Sequence, residues 1–318
     1  MKNYLDFEKE IKALEEEVDN LKSPFGSGGI SEVDTNKIKG TQLEINQKLE
    51  EIYSNLNSWQ KTQVARHEDR PRANFYIKKI FTNFTLLAGD RYFGDDKSVT
   101  AGFGLIDNKS VLIIGQEKGE DLNSRIEKNF GMMRPEGYRK CIRLMKLAER
   151  FQIPVISFID TPGAHPGLGA EQRGQASAIA SSIECGMSLT VPNISIIIGE
   201  GGSGGAIGIA TSDKVLMLEH ATYSVISPEG CASILWRSTK FSQEAANTLK
   251  LTSEDCMKFK IIDQIVPEFP GGAHRNSKKQ SNIIKEYLLE NLNYLLKIPT
   301  NDLVKLRKNK YINITSEI

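Results

Sequence analysis

Cysteine is scarce: Cys141, Cys185, Cys231 and Cys256 are the only four among 318 residues, and they lie far apart. No C-x-x-C pair occurs, which excludes a zinc ribbon or a disulfide framework and suits a reducing compartment. Apolar runs are short. None approaches the ~20 residues of a membrane span, and the opening MKNYLDFEKEIKALEEEVDN is too acidic and interrupted for a signal or transit peptide. An excess of either charge is also missing. The 41 Lys and Arg and 40 Asp and Glu leave a net charge of +1, so no global field draws the chain to nucleic acid or an anionic membrane. What remains is ordinary globular composition, 39% hydrophobic and 25% charged with 26 Gly, in a chain long enough for one large domain or two smaller ones.

Apolar periodicity organises the ends of the chain. Phe7, Ile11, Leu14, Val18 and Leu21 step by four and three, and Ile45, Leu49, Ile52, Leu56 and Trp59 repeat the rhythm, predicting two amphipathic helices in a hairpin. The turn-rich segment 23–36 (SPFGSGGISEVDTN) reads as the connector. Near the other end IIKEYLLENLNYLL predicts a long helix, and KNKYINITSEI reads as a frayed tail.

The middle of the chain changes period. VTAGFGLID and SVLIIGQEK, separated by Asn108 and Lys109, read as a β-hairpin. Pro135 opens a helix to about Phe151, IPVISFID reads as a strand buried on both faces, and a small-residue helix covers about 170–189. The strands NISIIIG and KVLMLE follow, with a further strand near 264. Strands alternating with helices predict an α/β layered core with parallel pairing. The echo between Arg134-Pro135-Glu136-Gly137 and Ser227-Pro228-Glu229-Gly230 suggests a repeated strand-strand-helix unit.

The most informative stretch is Gly199-Glu200-Gly201-Gly202-Ser203-Gly204-Gly205, after an apolar strand and before a short helix. Such glycine density marks a tight turn or a close approach to the backbone. Three chemistries fit it. Gly199, Gly201 and Gly204 match a dinucleotide fingerprint, with Glu219 about 20 residues on. Gly201-Gly202-Ser203-Gly204-Gly205 matches a nucleophile elbow, with Asp263 and His274 in triad order. Third, bare N–H groups at a helix start form an oxyanion site.

Longer strings narrow the choice. Residues 134–180 (RPEGYRKCIRLMKLAERFQIPVISFIDTPGAHPGLGAEQRGQASAIA), residues 199–237 and GGAHRN at 271–276 closely resemble the α-subunit family of multi-subunit acetyl-CoA carboxylase carboxyltransferases. LDFEKEIKALEEEVDNL, WQKTQVARHEDRP and LAGDRYFGDD also look like that family, so the resemblance spans nearly the whole chain. It implies a crotonase-like α/β superhelix of strand-strand-helix units at 91–275, flanked by helical regions at 1–90 and 276–318. It implies transfer of a carboxyl group from carboxybiotin, carried on a separate biotin carboxyl carrier protein, to acetyl-CoA. The product is malonyl-CoA, in the first committed step of fatty acid synthesis. The implied partners are a zinc-ribbon β subunit in an α2β2 assembly and biotin carboxylase, with no metal in this chain. The implied setting is the bacterial cytoplasm or the plastid stroma.

Loss of CO2 from carboxybiotin leaves an anionic ureido group able to take the acetyl methyl proton, so the protein's task is to hold oxyanions in place. Gly204 and Gly205 match the family's oxyanion-hole peptide. Gly201, Gly202 and Ser203 shape the loop, and Gly163, in the turn Thr161-Pro162-Gly163, lines the same pocket. His165 stands where the family commonly has an aromatic residue. Arg139, Arg143, Lys146 and Arg150 form a basic helical stripe that reads as a solvated face.

Overall fold

A computed structural model describes residues 3–22 and 35–316. The predicted connector at 23–36 lies, except for its last two residues, outside them. One mixed sheet organises the chain, built from β1 (Thr82–Leu86), β2 (Val99–Ile106), β3 (Lys109–Gln116), β4 (Val155–Thr161), β5 (Asn193–Gly202), β6 (Lys214–Leu218), β7 (Thr222–Ser224) and β8 (Gln264–Val266). The order is β1-β2-β3-β4-β5-β6-β8, with β7 beside the end of β5. β1, β2 and β3 are antiparallel, and β3 to β6 and β8 run parallel. Every residue of β4 is buried, as its unbroken apolar run requires of a strand covered on both faces.

Both echoed motifs start helices. Arg134 and Ser227 are extended N-caps, and Pro135 and Pro228 take the first helical position of Pro135–Arg150 and Pro228–Trp236, where a missing N–H costs nothing. Each helix follows two strands, the hairpin β2–β3 in one case and β6–β7 in the other.

Several elements differ locally from expectation. The hairpin turn is Asp107-Asn108 (φ 48° and 62°), with Lys109 already paired to Ile106. A tight turn of this kind needs two left-handed residues, which Asp and Asn tolerate better than Lys. The helix over 170–189 is two, Leu168–Gln172 and Gln175–Ser188, broken at left-handed Gly174. Helices Lys9–Lys22 and Thr35–Ser54 pack together through Ile11, Val18, Ile45 and Leu49. The second ends before Trp59. Asn57 and Gln60 form a reciprocal capping box (2.9 Å each way) that starts Ser58–Ala65 anew. This helical pair is fastened to the body by Arg275, which donates to Glu8 (2.7 Å) and Glu15 (2.6 Å).

Residues 308–312 of the tail are not frayed but helical: helix Thr300–Ile312 docks on the core through a buried arginine. Arg307 is 1% exposed and makes a bidentate pair with Asp213 (2.8 and 2.7 Å), and its remaining donors reach the carbonyls of Gly186, Leu189 and Val191. An Asn- and Lys-rich composition hides this, because a satisfied guanidinium, with Leu303 and Lys310 beside it, anchors the helix instead of an apolar stripe. Likewise Arg139 pairs with Asp90 (2.8 Å) and Arg143 donates to the Gly89 carbonyl (2.8 Å), so half of the basic stripe fastens the 88–96 loop. Replacing Arg307 by Met leaves Asp213 buried without its cation. The expected cost is about 3–5 kcal/mol in urea unfolding. A loss under about 1 kcal/mol, the range of an exposed pair, would contradict the anchoring role.

Candidate active site

β4 and β5 are parallel neighbours, with Thr161 in register with Gly201, so their carboxyl ends deliver two loops to one edge of the sheet. The glycine cluster is not all loop. Gly199 to Gly202 continue β5, Glu200 to Gly202 pair with β7, and only at Ser203 (φ 49°) does the chain turn sharply into helix Ser203–Ala210.

The two loops touch through backbone alone. A Cβ on Gly202 would lie 2.3 Å from the Pro162 carbonyl, and one on Gly205 would lie 2.4 Å from the Gly163 carbonyl carbon and 2.6 Å from the Ala164 nitrogen. Glycine is therefore a steric requirement at both places. The turn is fixed from other directions as well. Thr161 Oγ1 bonds both the amide and the carbonyl of Gly163 (3.1 and 2.7 Å). Gln116 on β3 accepts from the Asp160 amide (3.2 Å) and donates to the Gly205 carbonyl (2.7 Å).

The first-turn amides of helix Ser203–Ala210 have no intrahelical acceptor, and Gly202, its N-cap, offers no side-chain oxygen. Among the described residues no side chain caps the Gly204 or Gly205 N–H, and no acceptor outside the helices and strands pairs with either. Gly204 is partly exposed, and a Cβ there would meet only Ile179 (3.7 Å), whereas Gly205 is buried. Ile179 also lines an open groove of about 660 Å³ with Ala164, His165 and Gln175, and around Gly163 no atom lies within 4 Å of a would-be Cβ. The helix dipole adds positive potential at these amides.

Beside them lies a charged frame. Glu200 accepts from Arg66 (2.6 Å) and Lys118 (2.7 Å), Lys118 also reaches Asp160 (2.7 Å), and Arg66 continues to Glu229 (2.5 Å). Burial alone would push the Glu200 carboxyl up; the Lys118 and Arg66 charges override it and hold the group at about 2. The buried Arg70–Glu268 pair (2.6 Å) stands behind it, with Arg70 donating to the Ile198 carbonyl at 2.7 Å. No group of three or more His, Cys, Asp or Glu among the described residues could hold a metal ion, and no described helix is long and apolar enough to cross a membrane.

The six residues singled out from sequence, Gly163, Gly201, Gly202, Ser203, Gly204 and Gly205, thus gather at the ends of β4 and β5. The triad does not gather. Asp263 is held by the Val215 amide and Lys310 (2.7 and 2.9 Å), and His274 stacks on His67 at 3.9 Å. Burial, with His67 and Arg70 nearby, holds His274 neutral, its pKa lowered to about 2. Glu219 accepts from the Glu268 amide, a structural role. Burial and Arg134 lower the pKa of His165, whose Nδ1 has no partner. Sequence reasoning missed Gln116, Asp160, Lys118 and Arg66. The available signal was a lone carboxylate ending an apolar strand at Asp160.

Comparison with known proteins identifies the family. The family described as acetyl co-enzyme A carboxylase carboxyltransferase-like matches residues 4–315. The acetyl-coenzyme A carboxylase carboxyl transferase subunit alpha of Pelagibacter ubique is 61% identical over 314 residues, 99% of this chain and 85% of that protein. Its counterpart in Nitrobacter hamburgensis is 50% identical over 315 residues, 99% and 97% of the two chains. Among solved structures, a Pseudomonas malonate decarboxylase hetero-tetramer in complex with coenzyme A has a TM-score of 0.56 at 15% identity, over 70% of this chain and 89% of that one. Transcarboxylase 12S has a TM-score of 0.54 at 18% identity, over 71% and 44%. These likenesses establish a crotonase-like fold. By sequence over almost its whole length, the chain belongs to the α-subunit family of acetyl-CoA carboxylase carboxyltransferases.

Proposed function

We propose that the uncapped first-turn amides of Gly204 and Gly205 hold the negative oxygen that develops while a carboxyl group moves onto acetyl-CoA. The chain is the α subunit of the carboxyltransferase of acetyl-CoA carboxylase, which forms malonyl-CoA in the first committed step of fatty acid synthesis. The single observation that carries the site assignment is a helix start beside a groove whose first-turn N–H groups, at Gly204 and Gly205, have no side-chain cap and no side chain in front of them. Biotin, on a separate carrier protein, supplies the carboxyl group. A ureido carbonyl fits this site because two bare donors can meet its oxygen while Ala164 and Ile179 cover its apolar ring.

The chain's residues then have distinct tasks. Gly204 and Gly205 donate, Gly201, Gly202 and Ser203 set the sharp turn, and Gly163 keeps the opposite wall free of a side chain. Gln116 and Thr161 fix the two loops, and the Glu200 network stiffens the strand ends. Residues 91–275 carry most of the site, braced by region 1–90, whose described residues are mainly helical but also supply β1 to the sheet, and by the helices of region 276–318. The α subunit acts with a β subunit in an α2β2 assembly, which receives the carboxylated carrier produced with biotin carboxylase. The setting is a bacterial cytoplasm or a plastid stroma.

Two variants separate this reading from general fragility. Gly205→Ala places a methyl against the Gly163 and Ala164 backbone and so moves the donors. It is expected to lower malonyl-CoA-dependent carboxylation of biotin, assayed with β added, by about 10²-fold or more. Gly204→Ala meets only Ile179 at an ordinary 3.7 Å and retains its N–H, so a loss under about tenfold is expected. Circular dichroism monitors folding in both. Wild-type turnover by folded Gly205→Ala would remove the assignment. Ser203, lacking a base, is expected to resist a fluorophosphonate probe, and stoichiometric labelling would favour a hydrolase instead.

A further inference from the structure

A cavity of about 230 Å³ opens beside Pro162, on the side of the turn where the charged frame lies. Five cationic side chains line it, and three are already engaged. Arg66 and Lys118 hold Glu200 and Asp160, the two carboxylates in its wall, and Arg70 holds Glu268. The other two, Arg72 and Arg125, form no side-chain ion pair or hydrogen bond among the described residues, and Arg125 Nε is shielded from solvent without a partner. An unmet buried donor is costly, and two such guanidiniums around one cavity repel each other. An anion between them relieves both penalties.

The cations are held in place. Arg72 immediately precedes helix Ala73–Ile80, which packs on β3 and β4. Arg125 lies before a loop in which Asn129, Phe130 and Gly131 are all left-handed (φ 46°, 56° and 80°). A Cβ on Gly131 would lie 2.9 Å from the Asp160 carbonyl, so this loop is locked against the end of β4 with Phe130 in the cavity wall. Strained backbone of this kind persists where surrounding structure enforces it, often at ligand sites.

We propose that this cavity binds a phosphoryl group, gripped by the guanidinium forks of Arg72 and Arg125. A carboxylate has two oxygens and saturates one fork, whereas a phosphate monoester or diphosphate has enough oxygens for two. The site adjoins the Gly204–Gly205 amides through Pro162 and is chemically separate from them, so it does not rest on the transfer reading. Its ligand is either the phosphate portion of coenzyme A or a free phosphorylated small molecule.

Titration calorimetry on the full-length chain, alone and with β added, tests the assignment with pyrophosphate, coenzyme A and pantetheine as probes. Pyrophosphate is expected to bind, and the double variant Arg72→Gln/Arg125→Gln, which breaks no existing pair, to weaken it by about tenfold or more. Lys146→Gln, on the exposed face of helix Pro135–Arg150, should bind as wild type. If coenzyme A competes with pyrophosphate and pantetheine does not, the ligand is the coenzyme; if pyrophosphate binds without that competition, it is a free phosphorylated molecule. No pyrophosphate binding at millimolar concentration, or equal binding by wild type and a folded double variant, overturns the proposal.

Discussion

The site depends on one steric constraint: two loops meet so closely that neither can carry a side chain between them. Gly202 and Gly205 lie against the backbone of Pro162, Gly163 and Ala164, and a single methyl would force them apart by more than an ångström. That contact sets where the first amides of helix Ser203–Ala210 stand. Glycine density, costly for backbone entropy, is thus retained by contact geometry as well as by access for a ligand.

Such a contact needs rigid strand ends, and electrostatics supplies them. Lys118 bridges Asp160 at the end of β4 and Glu200 at the end of β5, and Arg66 ties Glu200 to Glu229 on helix Pro228–Trp236. Glu268 accepts from the His220 and Ala273 amides besides holding Arg70, joining the far side of the sheet to the same cluster. Buried pairs of this kind contribute less to net stability than to fixing a unique arrangement. Here they hold the strand ends that carry the proposed backbone site.

Much of this was legible in the sequence where the signal is local. An unbroken apolar run marks β4, Pro after an extended N-cap marks two helix starts, and the glycine cluster marks the turn. Signals failed where tertiary partners decide. Apolar rhythm runs through Trp59 although Asn57 interrupts the helix, and Lys109 looks like a turn residue although it is the first rung of β3. Arg307 immediately precedes the tail read as frayed and carries no apolar signal, yet Asp213, 94 positions earlier, makes it a core residue. Gln116 and Lys118 carry no motif. Their roles exist only because the sheet brings β3 beside β4 and β4 beside β5.

The most direct test replaces the amide N–H of residue 205 by an ester oxygen, introduced as glycolic acid, which removes one donor without adding a Cβ. The account predicts a folded α subunit that assembles with β and transfers carboxyl groups about 10²–10³-fold more slowly. Unchanged turnover by that ester-linked protein would contradict it.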